Sequence, residues 1–335
     1  MQIERFDPLA DTAQVRACYE LVKAGKPFDE PKGPLMSFPV FAGWFGLGWT
    51  VCPRESWLVP DGGQTVAAGA YLLELPAPDN PQLGQLTILV APDKRRAGLG
   101  TALLRHAAQR AREQGRTLLS GDSRQGSPGS AFARAAGARA GPSDIVRVLD
   151  LAALPDGHLD RLRQQAEAAA RGYTLLSWSG PAPDEYLDQL AVVNAAVEDA
   201  PRAAGEEVEY VDAQRIRQWE RRIARQGLRD YTIVARSDET GDLAALTQFD
   251  VEPEQPEWGF QALTAVARPH RGHRLGLLVK LGMLDLLAKA EPQLRWIKTD
   301  NAGSNQHMIA INEQLGFQVF DEWETWQVDV AQVIG

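Results

Sequence analysis

The pattern of apolar and polar positions is most informative around residues 86–107. Residues 86–90 form an apolar run with β-branched side chains, which is typical of a buried strand, and Pro92 ends it. From Leu99 onward, apolar side chains recur at helical spacing. The pattern predicts a strand, a loop and a helix in direct succession.

The loop of this segment carries Arg95, Gly98 and Gly100 in the spacing Arg-x-x-Gly-x-Gly. Amides at a helix N-terminus have no acceptor within the helix, the helix dipole is positive there, and glycine lets a ligand approach the backbone. We therefore expect a phosphate-bearing ligand at this loop. The spacing differs from the dinucleotide-binding turn and from the phosphate loop of NTPases, which argues against both of those classes.

The same pattern occurs a second time at residues 263–276. Other landmarks repeat at nearly the same distance, about 176–179 residues further along the chain, so we expect duplication of a whole domain. The matched positions are Arg95 with Arg271, Gly100 with Gly276, Gly137 with Gly316 and Asp150 with Asp329.

The elements around the two loops predict two similar α/β domains. We expect an N-terminal domain over residues 1–152, a helical connector over 153–172 and a C-terminal domain over 173–335. The chain has 335 residues, of which 44% are hydrophobic, so each half can bury a core of its own. Residues 26–34 contain three prolines and predict no regular element.

With these motifs in place, the chain resembles the GCN5-related N-acetyltransferase (GNAT) family. The Arg-x-x-Gly-x-Gly loops resemble that family's acyl-coenzyme A loop, and residues 296–317, which end in Leu-Gly-Phe, resemble its fifth strand and fourth helix. The resemblance covers nearly the whole chain. It implies two tandem GNAT domains, each a mixed sheet flanked by helices (α/β, α+β mixed sheet), in an arrangement similar to that of the mycothiol synthases.

The resemblance also implies an activity. It predicts an N-acetyltransferase that moves an acetyl group from acetyl-coenzyme A to a primary amine of a small molecule, by direct attack and without a covalent intermediate. A second interpretation stays open, a catalytically silent tandem protein that binds or senses acyl-coenzyme A. It rests on Ala133 and Asn312, which occupy the positions where the family often has a tyrosine that protonates the departing thiolate.

By the same resemblance, residues of both loops, of the preceding strands and of the segment after the fifth strand would bind the cofactor. Each half departs from the family pattern, because the first lacks the asparagines and the second has Arg274 at the middle glycine, where it could clash with a phosphate or bind one. Asn305 could alternatively cap a helix. The expected cofactor-binding residues are Leu89, Val90, Arg95, Arg96, Ala97, Gly98, Leu99, Gly100, Ala265, Val266, Arg271, Gly272, His273, Arg274, Leu275, Gly276, Asn301 and Asn305.

Two residues are candidates for catalysis, both in the second half. Asn312 stands at the position of the family's tyrosine, and Glu207 belongs to an acidic run over residues 205–212. That run could attract a cationic amine and take its proton, or it could be a solvated loop in an acidic protein. We expect the second half to carry the chemistry.

The composition of the chain bears on its partners, on metal binding and on its location. The net charge of −9, from 35 basic and 44 acidic residues, argues against nucleic acid as a partner. Neither the two cysteines nor the five histidines show a metal-binding spacing, so no metal is expected. The sequence shows no leader or membrane-spanning pattern, and we expect a cytoplasmic monomer or homodimer whose only other partner is its amine acceptor.

Overall fold

A computed structural model describes residues 2–47, 52–61, 67–76, 79–196, 210–303 and 305–335. Within these ranges the chain forms two compact units, which we call unit 1 and unit 2. Unit 1 holds the described residues up to Asp144 and those from Asp321 onward, and unit 2 holds those from Ile145 to Phe320.

Strands and helices follow one another in a similar order in the two halves of the chain. The first half contains β1 (Glu4–Phe6), α1 (Thr12–Asp29), α2 (Phe38–Leu47), β2 (Arg54–Pro60), β3 (Ala67–Glu74), β4 (Leu83–Val90), α3 (Leu99–Glu113), β5 (Leu118–Arg124), α4 (Pro128–Ala135) and β6 (Arg139–Asp150). The second half contains α5 (His158–Ala169), β7 (Tyr173–Ser179), α6 (Leu187–Ala195), α7 (Ala213–Arg225), β8 (Arg229–Ser237), β9 (Leu243–Val251), β10 (Trp258–Val266), α8 (Leu275–Ala290), β11 (Trp296–Ala302), α9 (Gln306–Leu315), β12 (Gln318–Asp329) and α10 (Val330–Ile334).

Each unit is built around a mixed sheet, as the sequence predicts. In unit 1 the strands lie in the order β1-β2-β3-β4-β5-β12, with β4 and β5 parallel and β5 and β12 antiparallel. In unit 2 the order is β6-β11-β10-β9-β8-β7, with β10 and β11 parallel and β7, β8, β9 and β10 antiparallel to their neighbours in that series.

The two halves of the chain exchange their closing strands. β12, near the end of the chain, pairs with β5 of unit 1 from Asp329↔Leu118 to Trp323↔Arg124. Residues 145–150 of β6 belong to unit 2, where β6 is the neighbour of β11. The sequence pattern contains no sign of this exchange, because the side chains of a strand specify its buried face but not which edge it joins.

Alternating side chains give each sheet two buried faces. In β3, Leu73 joins a core under α3, whereas its neighbour Leu72 joins a core under α1 and α2. In β9, Phe249 joins a core under α5, α8 and α9, whereas Leu246 packs under α6 and α7. We refer to these as the α3 and α1 faces of unit 1 and the α8 and α6 faces of unit 2.

Helix α1 is longer than the sequence predicts. The side chain of Asp11 accepts a hydrogen bond from the Gln14 amide at its start, but the helix continues through Pro27 to Asp29. The expectation of no regular element from residue 26 is therefore wrong for its first four residues. Tertiary contacts hold this last turn, since the Asp29 carboxylate binds the guanidinium of Arg95.

Candidate functional site

The central feature of unit 1 is a gap between its two parallel strands. β4 and β5 pair from Leu83↔Leu118 to Gln85↔Ser120. Both strands then continue, to Val90 in β4 and Arg124 in β5, without further pairing to each other. Past the pair Gln85↔Ser120 the ladder between β4 and β5 ends, although the Leu86 carbonyl still lies close to Gly121, where a Cβ would come within 2.6 Å of it. An extended ligand with amide groups, such as the pantetheine arm of coenzyme A, fits backbone of this kind.

Unit 2 has the same gap with an added irregularity. β10 and β11 pair from Trp258↔Trp296 to Phe260↔Lys298 and then separate. Just beyond this point the register of β10 against β9 shifts between Gln261 and Thr264, as in a β-bulge. β4 pairs with β3 up to Val90 without such a shift, so the two gaps differ.

A buried polar network holds the bulge of β10. The Nε2 of Gln261 donates to Thr247 Oγ1 and to the Gln248 carbonyl, both at 2.7 Å, and Thr247 Oγ1 lies 2.7 Å from Thr264 Oγ1. Thr299 on β11 donates to the Gln261 carbonyl at 3.0 Å. These side chains satisfy one another in a dry environment, which fixes the backbone at the opening of the gap. Sequence reasoning missed this network, whose signal is the set of polar residues in otherwise apolar strands.

The two loops adopt the same backbone conformation at matched positions. Arg96 and Gly98 have φ of 64° and 85°, and Gly272 and Arg274 have φ of 91° and 54°. The N-cap residues of α3 and α8, Gly98 and Arg274, form no side-chain cap, and neither first turn contains an acidic residue. The first-turn amides are therefore open to an anion such as the diphosphate of coenzyme A. The guanidinium of Arg274 turns to Gln165 in α5, at 3.0 Å.

Not every expected loop residue faces the ligand side. A Cβ at Gly100 would lie 3.2 Å from Phe132, and one at Gly276 would lie 3.1 Å from Ile311, so these two glycines allow close packing of the helices. The apolar members of the motif, Leu99 and Leu275, are buried in the cores. The loop residues with exposed surface are Arg96, Ala97, Gly98, Arg271, Gly272, His273 and Arg274.

Arg95 binds protein groups with its whole guanidinium. Its Nε donates to the Val90 carbonyl at 3.1 Å, and its terminal nitrogens donate to the Asp29 carboxylate at 3.0 and 2.6 Å. Arg95 therefore ties the loop to the end of α1. Leu89 and Val90 remain paired with β3, several residues beyond the opening of the gap.

Arg271 makes the corresponding contacts in unit 2. Its Nε donates to the Val266 carbonyl at 3.3 Å, and its Nη2 donates to the Ala196 carbonyl, at the end of α6, at 3.5 Å. Ala265 and Val266 pair with β9 beyond the bulge. The irregular backbone thus lies closer to the opening of the gap than these two residues.

The asparagines of unit 2 interact with their own surroundings. Asn305 is the N-cap of α9, and its side chain accepts a hydrogen bond from the Met308 amide. Asn312 is fully buried and donates to Asn301 Oδ1 at 2.6 Å, while its own Oδ1 has no hydrogen-bond partner among the described residues. In the structure Asn312 orients Asn301. The other catalytic candidate, Glu207, lies outside the described residues.

An aspartate occupies the matched position of each gap. Asp122 in β5 and Asp300 in β11 both stand two residues beyond the last pair between the parallel strands. Each has exposed surface, yet removal of water by the surrounding protein raises the pKa of both carboxyls. A hydrogen bond from Thr325 lowers the pKa of Asp122, and the charge of Lys298 lowers the pKa of Asp300, but neither effect outweighs burial. Sequence reasoning did not single out these residues, although their offset matches that of the repeat.

The described part of the chain also bears on metal binding and on membrane insertion. No three histidine, cysteine, aspartate or glutamate side chains there are grouped to bind a metal ion. None of the helices there is both long and apolar enough to cross a bilayer.

Comparison with known proteins agrees with this geometry. Residues 15–125 match the model of the Acetyltransferase (GNAT) family. A solved tandem GNAT protein from the clavulanic acid biosynthesis pathway is 29% identical, with 98% of each chain covered and a TM-score of 0.81. No curated protein sequence matches the chain.

Two further structures share the fold at lower identity. A GCN5-related N-acetyltransferase from Sphaerobacter thermophilus is 17% identical, with coverage of 98% of this chain and 95% of that one and a TM-score of 0.63. The GCN5-related glucosamine N-acetyltransferase region of a fungal GH3 β-N-acetylglucosaminidase is also 17% identical, with coverage of 98% and 38% and a TM-score of 0.65. Residues 15–125 therefore match a GNAT acetyltransferase domain, and the chain as a whole has the two-domain fold of a tandem GNAT protein.

Proposed function

We propose that this protein is an N-acetyltransferase that transfers an acetyl group from acetyl-coenzyme A to a primary amine of a small molecule, by direct attack. The observation that carries the proposal is the gap between β10 and β11, which has a bulge at its opening and an uncapped helix N-terminus at its far end. Acetyl-coenzyme A, the acyl donor, supplies the thioester. The location in the cytoplasm and the monomeric or dimeric state stay predictions.

The residues of unit 2 have distinct roles in this proposal. The amides of the loop over residues 272–276 bind the diphosphate, and the unpaired strand backbone of the gap binds the pantetheine arm. An amide in the bulge over residues 261–264 stabilises the negative charge that develops on the thioester oxygen when the amine attacks. The network around Gln261 fixes this amide before the reaction, which lowers the cost of reorganisation.

Unit 1 has a loop of the same shape but no bulge. We assign unit 1 a second acyl-coenzyme A site, whose role is chiefly structural and not catalytic. The competing function, a silent acyl-coenzyme A sensor, gains support from Ala133 and Asn312, which fill the positions of the family's tyrosine, and from the burial of Asn312.

Binding is tested with a pair of isosteric substitutions in each loop. Gly98→Asp and Gly98→Asn share the same strain at positive φ but differ in charge, as do Arg274→Asp and Arg274→Asn. Calorimetry with acetyl-coenzyme A should show that each aspartate variant loses one binding step, at least tenfold in affinity relative to its asparagine partner. Equal affinities within both pairs would remove the loops from the binding site.

Turnover is tested by thiol release from acetyl-coenzyme A in the presence of a panel of primary amines. The enzyme assignment expects amine-dependent release that Arg274→Asp reduces strongly and Gly98→Asp leaves mostly intact. The reverse ranking would place the active site in unit 1. If the protein binds acetyl-coenzyme A tightly but none of the amines in the panel causes thiol release, the sensor function is favoured.

A further inference from the structure

Asp250 in β9 lies directly beside the opening of the gap in unit 2. Its neighbour on one side is Phe260 in β10, which is also the last residue that pairs with β11 before the two strands separate. Its neighbour on the other side is Asp230 in β8. Cross-strand neighbours have Cβ atoms about 4.5–5.5 Å apart, so the two carboxylates and the phenyl ring form one row.

This row lies on the α6 face of unit 2. Phe249 and Tyr231, which precede and follow the two aspartates in sequence, are buried in the core of the opposite face, and successive side chains in a strand alternate. The side chain of Asp250 is partly buried, whereas Phe260 is 36% exposed. The α6 face is therefore open to solvent at the point where the gap begins.

The matched row in unit 1 has a different charge pattern. Gln85 is the last residue of β4 that pairs with β5, its neighbour in β3 is Glu74, and the neighbour of Glu74 in β2 is Arg54. Glu74 and Arg54 form an ion pair at 4.0 Å, with both side chains largely buried. The fold thus accommodates a carboxylate here together with a compensating cation.

Unit 2 has an aspartate in place of that cation. Like charges directly opposite each other destabilise a sheet, so Asp230 and Asp250 cost stability that the unit 1 arrangement avoids. Burial, followed by the charge of Asp230, raises the pKa of Asp250 to about 7, and Arg222 of α7 acts in the opposite direction. Burial and the charge of Glu220 raise the pKa of Asp230 as well. On the β11 side, Lys298 continues the row beyond Phe260.

We propose that Asp250 is the general base of unit 2 and accepts a proton from the ammonium group of a cationic acceptor, directly or through one water. This inference rests on the proposed acetyltransferase function. Asp250 takes one proton and leaves a free amine. The nitrogen lone pair forms a C–N bond to the thioester carbonyl, the C–S bond breaks with its electron pair going to sulfur as thiolate, and the second proton on nitrogen passes to solvent.

The test is the pH profile of kcat/KM for thiol release from acetyl-coenzyme A with an amine that supports turnover. In the unsubstituted protein, activity should rise with pH and level off above about 7, because the base must be deprotonated. Asp250→Asn should lower kcat/KM by about 100-fold or more and abolish this rise, which is the acidic limb of the pH profile. Asp230→Asn should move the limb to lower pH, because it removes the charge that raises the pKa of Asp250. Asp242→Asn, an exposed position just before β9, serves as the matched control and should change nothing.

The possible outcomes separate the two proposals. If Asp250→Asn keeps the wild-type limb and at least a third of the activity, Asp250 is not the base although the acetyltransferase function stands. If the unsubstituted protein releases no thiol with any amine, both proposals fail. Urea unfolding of Asp250→Asn should show unchanged or higher stability, since a like-charge pair is lost, so a fall in activity cannot come from misfolding. A carbon-13 NMR titration should show a carboxyl with a pKa near 7 that disappears in Asp250→Asn.

Discussion

Lys280 lies in the middle of α8 and is only 2% exposed. Its ammonium nitrogen lies 5.7 Å from the centre of the Phe317 ring, a favourable but modest contact. Burial lowers the pKa of Lys280 to about 7, which is well below the value of an exposed lysine. The charged form is therefore disfavoured in the folded state.

Lys280→Met should stabilise the protein at and below pH 7, by about 3 kcal/mol. Between pH 7 and about 10 the unfolded chain binds more protons at this lysine than the folded chain, so this group makes the unfolding free energy of the unsubstituted protein rise with pH. The substitution should remove that rise. Urea unfolding at pH 6, 7.5 and 9 measures both effects.

Lys289→Met provides the control for this prediction. Lys289 lies in the last turn of the same helix and is exposed, so its replacement should change stability by only a few tenths of a kcal/mol, in the unfavourable direction. Parallel pH profiles for the unsubstituted protein and Lys280→Met would show that the buried amine is not responsible.

At the scale of elements, the contact between Asp29 and Arg95 joins α1 to the loop before α3. The pair is bidentate, with Arg95 21% and Asp29 46% exposed. Such geometry is stronger than an ordinary surface ion pair, although solvent still screens it. The contact explains how a helix passes through Pro27 and continues for two further residues.

Asp29→Asn should loosen the last turn of α1, because the charged half of this contact is lost. We expect amide hydrogen exchange over residues 26–30 to become about fivefold faster, which corresponds to roughly 1 kcal/mol. Arg95→Met should have a similar effect. Glu20→Gln, which affects an exposed pair with Lys23 on the same helix, should leave these rates unchanged. Unaltered exchange in both Asp29→Asn and Arg95→Met would mean that the contact does not hold the helix end.

At the scale of the whole molecule, the end of the chain completes unit 1. Residues 323–329 form the β12 ladder against β5, and Trp326, Val328 and Val330 are buried. Unit 2, in contrast, ends at Phe320. Sequence position therefore does not indicate which unit depends on these last residues.

A chain that ends after Phe320 should lose unit 1 and retain unit 2. The three buried apolar side chains contribute roughly 5 kcal/mol, a large fraction of the stability of a domain, and β5 would lose its partner strand. Limited proteolysis with mass spectrometry should show cleavage within unit 1 and protection of the described residues of unit 2, 145–196, 210–303 and 305–320. A chain that ends after Asp329, which keeps the ladder, should be affected less. Preferential cleavage of unit 2 would contradict the exchange of strands.

The two loops, the duplicated α/β pattern and the resemblance to GNAT proteins can all be predicted from the amino-acid sequence. These depend on local spacing: glycine at positions of positive φ, apolar side chains at strand and helix periods, and a repeat of both, as at Gly98 and Leu99. Such features act over a few residues and can be seen without a fold.

How these parts are used depends on contacts that form in three dimensions. The sequence does not show that β12 pairs with β5, that the Arg95 guanidinium binds Asp29, or that Asp250 neighbours Asp230 and Phe260. Each of these contacts joins segments distant in sequence, and strand register alone decides which side chains become neighbours. The charge at one cross-strand position, cationic in unit 1 and anionic in unit 2, becomes visible only once the two sheets are aligned by their gaps.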